Sequence, residues 1–301
     1  MTLLSFVQAI GRTRSFSGAA RELGYSQAAI SQRIRRFEAT LGMPLFVRRP
    51  RGVEPTEAGQ ILLRRAVEAL STIELAHREI EALRNLLSGR VRILAFPSVS
   101  ATVLPLAIAQ LAASHPYLDI SFREENPELA IDSLRAGAAD IAIVYRYAGS
   151  SVEPAMRSGA LVTNELIPDP LYITMARTHP LAGRARITLE NFSDDTWIAG
   201  SKMGQVFSDF EQLGFTPKLG PDISDSIAAQ AFVAEGLGVA IMPRLVILAS
   251  HHPGIVVKQI RPGRERTIDA VTLRTTPEMP AIAATMAALK EAASSIAATE
   301  L

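Results

Sequence analysis

Cysteine is absent from the 301 residues, which excludes disulfides, thiolate metal sites and a thiol redox sensor and fits a reducing cytosol. Lysine is absent from the first 65 residues, where eleven arginines carry all of the positive side-chain charge. No uninterrupted apolar run approaches the roughly 20 residues that a membrane span needs. Even "GLGVAIMPRLVILAS" is broken by Pro243 and Arg244. The opening "MTLLSFVQAIGRTR" places its apolar residues ahead of its charges, the reverse of a secretory signal. A cytoplasmic protein with no membrane partner is expected.

Catalytic constellations are also missing. The histidines His77, His115, His179, His251 and His252 show no zinc spacing with acidic partners. "GSKMG" is not a nucleophile elbow, and "GLG" lacks the preceding strand and third glycine of a dinucleotide loop. Asp194 and Asp195 fall in the "FSDDTW" turn, where a capping role is the ordinary one. A non-enzyme with no cofactor and no metal is expected.

What is present begins with an asymmetry of charge. The formal net charge is +1, yet residues 1–65 hold eleven Arg against Glu22, Glu38, Glu54 and Glu57, a formal +7. The remaining 20 basic and 26 acidic residues give −6. A basic head on an acidic body points to a polyanion at one end. With 48% hydrophobic residues, the chain can bury the cores of two or three domains.

The head reads as helices. Leu3, Phe6, Val7 and Ile10 recur at three-and-four spacing. Ser15 or Ser17 offers an N-cap for a second helix through Leu23, with Gly24 as the turn. Ser26 caps a third helix that ends at Leu41-Gly42, ahead of Pro44. Two short helices around a glycine turn make a helix-turn-helix.

On the third helix Ile30, Ile34, Phe37 and Leu41 form the predicted buried stripe. Ala28, Ser31, Gln32 and Arg35 lie broadly on the other side, with Gln27 and Arg36 at its margins; the N-terminal half of that side is short and uncharged, and the arginines come later. That order suits first turns placed in a major groove, with arginines near phosphates. "LFVRR", "PRG" and "VEPT" then read as a small hairpin, a wing whose Arg48, Arg49 and Arg51 can grip the backbone.

"SFSGAARELGYSQAAISQRIRRFEATLGMPLFVRRPRGVEPTEAG" resembles the winged helix-turn-helix of LysR-type transcriptional regulators. The resemblance rests on SF..AA..L, on SQ.A.S..I..(L/F)E, on the LG..LF.R run before the wing, and on.TEAG after it. It implies Gln27, Ala28, Ser31 and Gln32 as base readers, and Ser17, Ser26, Arg35, Arg36, Arg48, Arg49 and Arg51 as backbone contacts. The partner is a double-stranded DNA operator. Ala28 departs from the family, which very often has proline there. Proline is tolerated in a first helical turn, so the fold is unaffected while the operator sequence cannot be carried over.

From Thr56 to Ser88 the chain has no proline. Leu62, Ala66, Ala69, Ile73, Ala76, Ile80, Leu83 and Leu87 alternate at four-and-three spacing, a coiled-coil seam. The alternative is a helix lying on its own protein. The family resemblance implies pairing through this helix into homodimers, or homotetramers, on two half-sites. Gly89 is expected to end the helix.

The rest alternates strand and helix: strands at Val91–Phe96, Leu118–Arg123 and "ADIAIVYR", helices at about Thr102–Ala113 and Leu129–Ala136. A mostly parallel sheet with helices on both faces follows. "DPLYITMA", "TWIAG", "DISDSIAAQAFVAEGLGVAIMP" and "TIDAVTLR" repeat the style. The body resembles the family's effector domain, itself similar to periplasmic binding proteins, and "AFVAEGLGVAIMP" matches its LV..GLG.(A/G).LP segment.

The fold expectation is α/β overall: a winged helix-turn-helix (1–58), a linker helix (59–88) and a two-lobed effector domain (89–301). Lobe one takes about 89–162 and 267–301, lobe two about 163–266. Ligands bind beyond the carboxyl ends of parallel strands. "FPSVSAT" lies there, so Pro97, Ser98, Val99, Ser100 and Thr102 are candidates to hold a carboxylate at a helix N-terminus. Across the cleft the candidates are Asn126, Tyr145, Arg146, Ile198, Gly200, Ser201, Lys202 and Ser226, with Arg146 and Lys202 as anion partners. Trp197 is assigned to the core. The expected ligand is a small anionic or polar metabolite. A competing reading keeps the small-molecule module but gives the basic head an assembly role in place of DNA reading.

Overall fold

The computed structural model describes residues 3–49, 52–84, 89–147, 156, 159–199, 215–261, 263–274, 276, 279–299 and 301. The chain divides into two compact units: Met1–Leu86 with Ser133–Ala138, and Leu87–Asp132 with Ala139–Leu301. Among the described residues no helix is long and apolar enough to cross a membrane.

The first unit carries α1 (Leu3–Thr13), α2 (Phe16–Leu23) and α3 (Gln27–Leu41), then the hairpin β1 (Phe46–Arg49) and β2 (Gly52–Pro55), then α4 (Glu57–Arg84). The caps follow the local sequence. Ser15 Oγ accepts from Gly18 N, Gly24 ends α2 at φ +70, Ser26 Oγ accepts from Ala29 N, and Gly42 ends α3 at φ +72. Both glycines hold a left-handed conformation that costs other residues energy. Phe6, Val7, Ile10, Ala19, Ala20, Ile30 and Ile34 form the core, with Leu62 and Leu63 of α4 packed against it.

Two expectations change here. Leu41 is 42% exposed and Phe37 only half-buried, because the covered stretch of α3 stops at Ile34. The next turn is held by polar contacts: Glu38 Oε1 accepts from the amides of Leu45 (2.7 Å) and Phe46 (3.2 Å). The predicted seam on α4 also divides. Leu62 packs on this unit's own core and Ala66 is fully buried, whereas Ile73 and Ala76 are exposed.

The second unit contains β3 (Gly89–Ala95), α5 (Pro97–Ser100), α6 (Val103–Ser114), β4 (Leu118–Glu124), α7 (Pro127–Arg135, of which Ser133–Arg135 group with the first unit) and β5 (Ile141–Arg146). It continues with β6 (Leu161–Ala176), β7 (Thr196–Ala199), β8 (Lys218–Asp222), α8 (Ser226–Ala234), β9 (Ala240–Pro243), α9 (Arg244–Ala249), β10 (Ile255–Gln259), β11 (Glu265–Leu273) and α10 (Pro280–Ala297). Gly89, expected to end the linker helix, instead opens β3 opposite Leu118, so its backbone is committed to a strand ladder.

The principal sheet runs β10-β6-β11-β5-β3-β4, with β9 also on β6. It is mixed, where a mostly parallel sheet was expected. β3 is parallel to β4 and β5, but β11 is antiparallel to β5 and β6, and β9 and β10 are antiparallel to β6. The cause is the crossing between lobes: a chain that leaves on β6 and returns on its neighbour β11 must run the other way.

β6 serves both lobes along its length. Leu161–Pro170 pairs with β11, and Leu171–Ala176 lies between β9 and β10. Alternation then sorts lobe two's side chains to two faces. Leu171, Ile173, Met175, Trp197 and Ile241 enter one core with Phe192, while Ile198, Ala240 and Met242 enter another with Val233 and Ile247.

One backbone contact in the first unit sets a stability test. Thr56 Oγ1 donates to the carbonyl of Pro44 (2.8 Å) and accepts from Gly59 N (3.1 Å), capping α4 against the loop before β1. A Cβ on Gly59 would lie 2.0 Å from the Leu45 carbonyl oxygen. Gly59→Ala is expected to destabilise the first unit by about 1–3 kcal/mol, read as a lowered denaturation midpoint by circular dichroism. Gly183→Ala, with nothing within 4 Å of the added atom, is expected to leave the midpoint unchanged.

Candidate recognition helix and ligand cleft

On α3 the side chains of Gln27, Ala28 and Gln32 are exposed, and so are Arg33, Arg35 and Arg36. The first turns therefore present an uncharged face with small residues. Ser31 is 8% exposed, and it takes the guanidinium of Arg35: Nε donates to Ser31 O (3.3 Å) and Nη2 to Ser31 Oγ (3.4 Å). Arg33 is tied to its own domain, its Cζ 5.5 Å from the Phe6 ring centroid.

Ser17 is exposed with its Oγ 2.9 Å from Ser15 Oγ, and the Ser26 hydroxyl is the α3 cap. Arg49 pairs with Glu54 across the hairpin at 3.3 Å, both exposed, a contact worth little. Arg48 lies in β1. Arg51, and Gly200, Ser201 and Lys202 of the second unit, lie outside the described residues.

The second unit holds a cleft of about 190 Å³. Leu171, Ile198, Ile223, Ala240, Met242 and Val246 give it an apolar wall, and Tyr145, Tyr147, Ser224, Ser226 and Arg266 supply its polar groups. Of the predicted site residues, Tyr145, Ile198 and Ser226 are among the lining.

The other described candidates are used elsewhere. Pro97, Ser98, Val99 and Ser100 form the short helix α5, so they do not sit at the free N-terminus of α6. Thr102 Oγ1 donates to Ser98 O at 2.6 Å, and Ser100 Oγ is buried with no hydrogen-bond partner. Asn126 is exposed, and its carbonyl accepts the amide of Ala130 in the first turn of α7. Arg146 bonds Asp269 Oδ2 through Nε (2.7 Å) and Glu165 Oε2 through Nη2 (3.3 Å). Tyr145 faces the cleft, so its neighbour on the strand faces away from it. Asp269 is fully buried; burial pushes its carboxyl above the usual range, with Arg146 pulling against that.

Arg266 is the residue that the sequence reading missed. It stands on β11 directly opposite Asp169 on β6, and both are buried, 5% and 1% exposed. Arg266 Nε donates to Asp169 Oδ2 at 2.8 Å, and Nη2 donates to Ser98 Oγ at 2.9 Å. Asp169 Oδ1 accepts from the amide of Leu245 in α9 at 2.9 Å. The guanidinium carbon lies 4.6 Å from the Tyr145 ring centroid and 5.0 Å from that of Phe96. The signal was present in "ERTIDAVTL": Arg266 shares its strand face with Ile268 and Ala270, where an apolar residue is the ordinary occupant.

Burial pushes the phenols of Tyr145 and Tyr147 above the ordinary tyrosine range, with the charge of Arg266 opposing. Both are thereby held as neutral hydroxyls.

Removing one partner of a buried ion pair leaves an uncompensated charge. Asp169→Ala is expected to destabilise the second unit by about 3–5 kcal/mol, and the double substitution Asp169→Leu with Arg266→Met by much less. Urea denaturation followed by the fluorescence of Trp197, the single tryptophan, measures both. Equal losses in the two variants would refute the uncompensated-charge account.

Comparison with known proteins agrees with both halves of this geometry. The family model for bacterial regulatory helix-turn-helix proteins of the lysR family matches residues 1–60, and that for the LysR substrate binding domain matches residues 84–294. The probable HTH-type transcriptional regulator LrrA of Synechococcus elongatus is 27% identical over 308 residues, covering 99% of each chain. A full-length OxyR variant from Pseudomonas aeruginosa superposes with a TM-score of 0.72 at 23% identity, over 96% of this chain and 95% of that one. CbnR in complex with its target DNA gives 0.66 at 19% identity, over 97% and 100%. The helix-turn-helix match supports DNA binding over the assembly role for the basic head. The chain belongs to the LysR family of DNA-binding transcriptional regulators, and it carries both the family's helix-turn-helix and its substrate binding domain.

Proposed function

We propose that Gln27, Ala28, Ser31 and Gln32 read base edges in a major groove, and that Ser17, Ser26, Arg35, Arg36, Arg48, Arg49 and Arg51 hold the flanking phosphates. The observation that carries this reading is the face of α3: Gln27, Ala28 and Gln32 are exposed and uncharged, and exposed arginines follow one turn later. Small residues allow the helix axis to approach the bases, Gln can bond adenine, and Arg supplies charge for phosphate. Ser31, 8% exposed and bonded by Arg35, is the least accessible of the four and reads bases only where Arg35 moves off it.

The chain pairs with a second copy along α4, whose Ile73 is 47% exposed, and two copies address two half-sites of an operator. A small metabolite occupies the cleft of the second unit, and its differential affinity for two arrangements of the lobes sets the regulatory state. The protein acts by binding, without catalysis, on DNA in the cytoplasm. Its relatives' names as regulators support this.

DNA fragments that the protein retains from its own genome supply the operator, and fluorescence anisotropy over a salt series supplies the test. Affinity is expected to fall steeply with salt, and Arg35→Ala to lower the slope of log K against log salt by about one. Gln32→Ala is expected to cost about 1–3 kcal/mol on the operator, little on random duplex, with the slope retained. A flat salt response would sink the DNA reading of the arginines; equal losses on both duplexes would sink the reading role of Gln32.

A further inference from the structure

Arg266 is the one cation among the described residues that line the cleft, and its charge is already neutralised by Asp169. The pair is not free to rearrange. Asp169 is held from the other side by the Leu245 amide, and Arg266 by Ser98 and the rings of Tyr145 and Phe96. Burying an ionised group without a partner of its own is costly. A ligand carboxylate placed against Arg266 would be a third buried charge, drawn by the guanidinium and repelled by Asp169 just behind it.

The cleft offers an uncharged ligand more. Tyr145, Tyr147, Ser224 and Ser226 present hydroxyls that both donate and accept, opposite an aliphatic wall. The volume of about 190 Å³ is on the scale of the roughly 150 Å³ apolar cavity that admits benzene.

We propose that the cleft selects an uncharged ligand of about one ring that bears a hydroxyl or amide, and discriminates against its carboxylate counterpart, with the Asp169–Arg266 pair as the selecting element. This rests on the reading of the cleft as the effector site.

Titration calorimetry on the full chain tests it with two matched probe pairs, benzamide against benzoate and cyclohexanecarboxamide against cyclohexanecarboxylate. The amides are expected to bind at least about tenfold more tightly, the effect of a modest electrostatic penalty. In Asp169→Asn, which keeps the shape of the side chain and removes its charge, the preference is expected to invert.

Carboxylates that bind the natural protein as tightly as the amides would overturn the proposal and leave the cleft an effector site. No binding by any of the four probes would overturn both. A preference that does not invert in folded Asp169→Asn would remove Asp169 as the selecting element. If that variant does not fold, the preference of the natural protein alone decides.

Discussion

The second unit depends on one buried ion pair, Asp169 with Arg266, formed where β6 and β11 pass between the lobes. Its value lies in geometry. A buried pair is weak evidence for net stability, because desolvation consumes most of the attraction. This one joins four elements through directed bonds: β6 and β11 to each other, α9 through the Leu245 amide, and α5 through Ser98. Any change in the angle between the lobes must either carry this unit intact or break one of these bonds.

The cleft inherits rigidity from the same strands. Side chains on β6, β7 and β9 alternate, so the residues behind the cleft are those of a packed core. Ile198 lines the cleft, while its neighbour Trp197 is 2% exposed and donates from its indole to the Phe192 carbonyl at 3.2 Å. Ile241 and Met242 both line the cleft while belonging to different cores. A ligand therefore meets a wall whose backbone is fixed from its other face, which is what a site that reports on shape requires.

Local chemistry was legible in the sequence, and long-range placement was not. Ser26 and Gly42 bound α3 as expected because caps act within a few residues. The cleft, by contrast, draws on Tyr145, Leu171, Ile198, Ser226, Ala240 and Arg266, positions far apart in the chain that long-range strand pairing such as that of β6 with β9 and β11 brings together. Tyr145 and Arg146 cannot both face the cleft, because the period of two sends strand neighbours to opposite faces. The hydroxyls of Ser98 and Thr102 suggested a carboxylate cradle, yet Ser98 supports Arg266, and Thr102 bonds the Ser98 carbonyl.

The same distinction reinterprets the motif that identified the head. In "RRFEATLGMPLF" and "PTEAG", Glu38 accepts the amides of Leu45 and Phe46, Thr56 caps α4 and bonds the Pro44 carbonyl, and Gly59 leaves room for the Leu45 carbonyl. These residues all converge on the loop that joins α3 to the wing, and their spacing is set by backbone closure. Sequence features that mark a DNA-binding fold so specifically are thus mostly its internal fastenings. Gln27, Ala28 and Gln32 have no such duty and stand exposed on the first turns of α3. A substitution at Ala28 would change what the helix presents and leave these fastenings untouched.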